Sequence, residues 1–173
     1  MLQWARQNGC NWDEDSCSAA AREGHVEVLQ WCRANGCPWD SWACADAAEG
    51  GHLGLLQWLR SEGCPWEPDT CAAAARHPLP LLQWARENGC DWNSRTCAEA
   101  AGAGRLDVLQ WAHDNDCPWG ADTCSRAAEG GNFEVLQWAR EHGCPWNAVH
   151  VRGLAASCGH PEIAQWVKEQ MCT

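Results

Sequence analysis

The sequence has no tyrosine, a single phenylalanine and far fewer bases than acids. With 12 Lys+Arg against 23 Asp+Glu and a formal net charge of -11, its surface repels polyanions. That excludes nucleic acid and anionic membrane as partners and favours basic or neutral ones. No apolar run approaches the roughly 20 residues that span a bilayer. The opening residues, MLQWARQNGC, lack the charged start and continuous apolar core of a secretory signal. These absences predict an intracellular, cytoplasmic chain whose cysteines stay reduced.

Chemical motifs are missing as well. There is no HExxH, no paired carboxylate at a defined spacing outside the repeat described below, no glycine-rich phosphate loop and no nucleophile elbow. The histidines do not assemble: His25 and His52 lead into helices, His113 and His142 lie near helix ends, and His77, His150 and His160 fall in irregular stretches. The expectation is a chain without catalytic residues, cofactor or metal.

What the sequence does have is 14 Cys and 14 Trp in 173 residues, an excess that one short repeated unit explains. Gln-Trp occurs at Gln3, Gln30, Gln57, Gln83, Gln110, Gln137 and Gln165, at spacings of 27, 27, 26, 27, 27 and 28 residues. Cutting after each loop tryptophan gives a partial unit 1–12, then units 13–39, 40–66, 67–92, 93–119, 120–146 and 147–173, within one repeat domain over 1–173. Met1 falls inside the register of a second helix and Thr173 stops before a closing loop, which reads as a fragment of a longer array.

Each unit reads as two helices. In DTCSRAAEGG, Asp122 or Thr123 N-caps a short helix with Cys124, Ala127 and Ala128 on one face, and Gly130 and Gly131 end it. NFEVLQWAREHG forms the second, with Phe133, Leu136, Trp138 and Ala139 inward and Gly143 closing it. Acids near the start of second helices (Glu27, Asp107, Glu134, Glu162) and bases near their ends (Arg33, Arg60, Arg86, Arg140, Lys168) suit the helix dipole.

The stretches TCAAAA, REGHVEVLQWCRANGCPWD and EGGHLGLLQWLRSEGCPWE resemble the ankyrin repeat, with its Thr-led first helix, Ala-Ala, G-H-L-E-V and closing G-A-D-V. His25 and His52 follow the glycine as in that pattern, Cys37 stands where it has alanine and Trp39 where it has valine. The units are about six residues short of the usual 33, which removes the connection carrying the β-hairpin finger. The resemblance implies an all-α fold, an α-solenoid of stacked helix-turn-helix units without long fingers. It also implies a non-enzymatic scaffold that binds a protein partner along the concave face formed by the first helices. The alternative is a structural spacer without a partner on this stretch; a more remote one is a Cys-rich metal or redox protein.

The cysteines fall in pairs seven apart, such as Cys37 with Cys44 and Cys64 with Cys71. Neighbouring helices stack roughly 8–10 Å apart, too far for equivalent cysteines to share a tetrahedral zinc or a disulfide. A bond within a pair, across the loop, stays open; the expected role of the cysteines is that of small apolar residues. The repeated Trp31, Trp39, Trp58, Trp66, Trp84, Trp92, Trp111, Trp119, Trp138 and Trp146 are expected as the structural core between units. For the glutamines before them, an inter-unit hydrogen-bonded ladder and a solvated stripe stand as equal readings.

Residues that vary at fixed positions of a repeat can specify a partner. Asp15, Trp42, Asp69, Arg95 and Asp122 precede the first-helix cysteine by two; Ala19, Asp46, Ala73, Glu99 and Arg126 follow it by two. The charged members and Trp42 form the candidate partner site, which is acidic in its first half and suited to a basic segment. In AAAARHPLPLLQW, Pro78 and Pro80 replace the Gly-His hinge, marking a bend or weak point at 76–81.

Overall fold

The structure, a computed structural model, describes residues 13–171. The readings placed on 1–12, on Cys172 and on Thr173 lie outside it. Among the described residues the fold is all-α, with twelve short helices and no strand. They run α1 Glu14–Arg22, α2 Val26–Ala34, α3 Ser41–Glu49, α4 Leu53–Ser61, α5 Pro68–Ala74, α6 Leu79–Glu87, α7 Ser94–Gly102, α8 Leu106–Asp114, α9 Ala121–Glu129, α10 Phe133–Glu141, α11 Ala148–Ser157 and α12 Pro161–Gln170. The chain divides into two compact units, 1–66 and 67–173.

In the first unit α1 packs on α3, and each pairs with the helix that follows it; in the second, α5, α7, α9 and α11 pack in series, each against its own second helix. Small side chains permit this close approach. Cys44, Ala47 and Ala48 of α3, and Cys124, Ala127 and Ala128 of α9, are all fully buried. The second helices supply the larger apolar groups, with Leu29, Leu56, Leu82, Leu109 and Leu136 at 0% exposure. Sequestering each of these leucines stabilises the stack by about 2 kcal/mol.

Helix starts differ from the sequence expectation. Gly120, not Asp122 or Thr123, is the N-cap of α9, and Thr123 is fully buried. The residue immediately after the loop tryptophan is the cap throughout. Asp13, Asp40, Asn93 and Asn147 each accept a backbone N–H there. α5 has 7 residues against 9 in α3 and α7, and Pro78 caps the helix after it, so the short hinge costs one turn's end.

The Gly-His hinge links successive units. His52 Nε2 donates to the Arg22 carbonyl at 3.0 Å and His160 Nε2 to that of Glu129 at 3.2 Å. Asn132 Nδ2 reaches the Ala101 and Gly102 carbonyls, both at 2.9 Å. These carbonyls lie in the last turn of first helices, where the helical ladder runs out; that of Ala101 also accepts the Gly104 N–H at 3.2 Å. Gly131, at φ +71, is required under the His160 ring, since a Cβ there would stand 2.4 Å from Cε1.

The tryptophans do not form the innermost layer. All ten named above are half-buried; beneath them lie the leucines, alanines and cysteines. They meet edge-on or tilted across neighbouring units, Trp39 with Trp58, Trp92 with Trp111 and Trp119 with Trp138, at centroid distances of 5.8, 5.7 and 5.8 Å. A 27-residue helix pair is too thin to cover an indole on every side. The glutamines beside them make no hydrogen bond between units among the described residues; Gln165 bonds Glu169 within α12 at 2.8 Å. They are the solvated stripe.

Candidate functional site

In the second unit the first-helix positions converge. Ser94, Arg95, Ala98 and Glu99 of α7, Asp122, Ser125, Arg126 and Glu129 of α9, and His150 and Leu154 of α11 line one groove of about 460 Å³. Four of the candidate partner residues, Arg95, Glu99, Asp122 and Arg126, therefore share one cleft. Asp69 of α5 joins them through an ion pair with Arg95. Asp15, Trp42 and Asp46 belong to the other compact unit. There Asp15 is exposed, while Trp42 is 57% exposed with its backbone N–H on the Asp40 cap.

Most of the groove's charges pair with one another. The Glu99 carboxylate is 13% exposed and has Arg76 Nε at 3.9 Å, Arg95 Nε at 3.5 Å and Arg126 Nη2 at 3.4 Å. Arg126 also meets Glu129 at 3.3 Å. In the first unit Asp46, 8% exposed, takes Arg22 Nε at 3.1 Å. The carboxylates read from the sequence as free for a basic segment are thus largely engaged: Asp46 by Arg22, Asp69 by Arg95, Glu99 by three arginines. Apart from Arg95 with Glu99 on one helix, these pairs join residues of neighbouring repeats, so a charge count along the chain does not show them.

Two contributors escaped the sequence reading. Val149 of α11 is 61% exposed and occupies the second helical position, the same place Trp42 holds in α3. His150 follows it into the groove wall. Both lie in the unit where Val151 replaces the marker cysteine, so an alignment keyed on cysteine passes over them.

A second construction repeats in the closing loops. Arg33, Arg60, Arg86 and Arg140 each donate Nη1 to the carbonyl of the loop cysteine four residues on. Each guanidinium also lies over the loop tryptophan, 3.8 to 4.4 Å from the ring centroid. The bases expected to serve the helix dipole therefore also clamp the loop.

In five units, four of them under such a clamp, the loop cysteine meets the first-helix cysteine of its own unit, not the one seven residues away. The pairs are Cys17 with Cys37, Cys44 with Cys64, Cys71 with Cys90, Cys97 with Cys117 and Cys124 with Cys144. The Sγ atoms of Cys17 and Cys37 are 3.4 Å apart. All ten are buried. The hairpin of two helices folds the loop back over the helix that began the unit. The seven-residue spacing spans the boundary to the next unit instead.

Comparison by sequence finds no matching family model and no matching curated protein. By structure, the human ASB11 ankyrin repeat domain superposes with a TM-score of 0.60 over 88% of this chain and 82% of that one, at 14% identity. The fold is that of an ankyrin repeat array. Its units are the shortened kind, closed by arginine, cysteine and tryptophan in place of a finger. Among the described residues no helix is long and apolar enough to cross a membrane.

Proposed function

We propose that the chain is a non-enzymatic protein-interaction scaffold whose first-helix face receives the partner. The observation that carries this reading is the convergence of variable positions into the α7–α9–α11 groove, while the cysteine, leucine and glycine positions repeat beneath it. Ankyrin arrays serve protein recognition in general. The net charge of -11 steers a basic partner in from a distance. At contact, the ion-paired carboxylates leave apolar anchoring to exposed side chains on each unit by itself, Val149 beside the groove of the second and Trp42 on α3 of the first, which is how interface hot spots commonly work.

The test compares partner capture by the native chain with capture by Trp42→Ser and Val149→Ser. Both side chains are largely solvent-exposed, so unfolding free energies should stay within about 0.5 kcal/mol of native, while retention of the partner should fall at least tenfold. Undiminished capture by the double variant would sink this reading and leave a structural spacer.

A further inference from the structure

The five buried sulfur pairs are more than apolar filling. In each, the loop sulfur lies against the carbonyl of the residue that caps the first helix, as Cys117 does on Asn93 at 3.6 Å and Cys144 on Gly120 at 3.4 Å. The first-helix sulfur points at the loop cysteine, and Cys97 Sγ is 4.0 Å from the Cys117 carbonyl oxygen. Thr96 and Thr123 place fully buried hydroxyls beside this arrangement; neither oxygen has a hydrogen-bond partner in the thiol form. Each helps to hold the loop thiol beside it, of Cys117 and Cys144 respectively, below its usual range.

We propose that each first-helix and loop cysteine pair is a redox-active dithiol, closing to an intra-unit disulfide with a small disulfide such as oxidised glutathione as the oxidant.

The chemistry is asymmetric. The partner thiol, donating to it, holds the Cys117 thiol below the usual range, against the opposing effect of burial, and Thr96 adds to the lowering. Cys97 is pushed well up by the same hydrogen bond and by burial. Cys64, Cys90 and Cys144 are likewise held below the usual range by their partner thiols, so in these four pairs the loop sulfur is the nucleophile. As a thiolate it attacks one sulfur of the oxidant, forming a mixed disulfide and expelling one thiolate. The first-helix cysteine gives its proton to that thiolate and attacks the loop sulfur, expelling the second thiolate, which takes a proton from solvent. Two protein thiols become one disulfide and the oxidant becomes two thiols. Burial makes loop opening the gate, so the pairs react more slowly than Cys158, which is exposed and sits in the unit where Val151 replaces the first-helix cysteine.

The experiment incubates the reduced native protein with oxidised glutathione, quenches by alkylation and maps the peptides by mass spectrometry. Cys158 should carry glutathione first, followed by links joining Cys97 to Cys117 and the corresponding residues of the other units. The oxidised chain should show a higher denaturation midpoint than the reduced one. A Cys97→Val variant, which copies Val151, should lose that single link, hold glutathione on Cys117 and keep the rest. Links between Cys37 and Cys44 or between Cys64 and Cys71 would overturn the assignment. So would pairs that remain fully alkylated after the loop amides have exchanged with solvent, or links that appear only in denaturant.

Discussion

In unit 120–146, Arg140 covers Trp146 at 4.4 Å and donates to the Cys144 carbonyl, and Gly143 makes the left-handed turn at φ +81. In unit 93–119 the same places hold His113 and Asp116. The His113 ring lies 4.5 Å from Trp119 but bonds Asp114 at 3.3 Å, leaving the Cys117 carbonyl to a distant thiol. Asp116 takes φ +61, the one left-handed residue other than glycine among those described. Both loops keep the same fold, including the cysteine amide bond to the second helix, Cys117 to Ala112 and Cys144 to Ala139, each 2.9 Å. The loop path is thus set by the helix hairpin and the buried cysteine. The arginine and the glycine stabilise that path but do not specify it.

The comparison breaks most sharply at Arg140. Arg140→Ala removes a charged hydrogen bond and a cation–π contact and should destabilise by about 2 kcal/mol in denaturant unfolding. His113→Ala should cost roughly half as much, because what is lost is ring packing on Trp119 and an exposed bond to Asp114. Equal losses would mean that the guanidinium adds nothing beyond its area. Exchanging the turn residues comes next. Gly143→Asp should cost about 1 kcal/mol, the strain of a side chain in the left-handed region, and Asp116→Gly should stabilise by a similar amount. Unfolding midpoints that move the same way for both exchanges would count against strain as the cause.

The repeat, its two helices and its glycine closures were legible because each is a local pattern: a fixed period, an apolar face, a residue suited to positive φ. What was not legible depends on which turn of which helix folds back on another. Cys37 is seven residues from Cys44 but touches Cys17, and only the hairpin geometry decides between them. Arg33 reads as a base at a helix end whether or not it reaches the Cys37 carbonyl, 3.1 Å away. Of the candidate site, the variable positions were readable but their charge state in the fold was not, since Asp46 meets an arginine 24 residues earlier. The tryptophans read as core from their repeat register and their size. The thinness of a 27-residue unit leaves each with one edge in water.

The smallest effect is the most discriminating. His113→Arg restores at one position what four other loops have, so it should stabilise unit 93–119 by about 0.5–1 kcal/mol, less than Arg140→Ala removes, because Asp114 competes for the new guanidinium. Global unfolding is a blunt measure of so small a change. Amide exchange at Cys117 and Cys144 reads it locally, because both amides bond the second helix in the same way. In the native chain the Cys117 amide should exchange several-fold faster than that of Cys144. The substitution should slow the first towards the second and leave the second unmoved. If the two amides exchange alike before the substitution, the clamp does not govern loop opening, and the gate proposed for the buried thiols must lie in the hinge glycines instead.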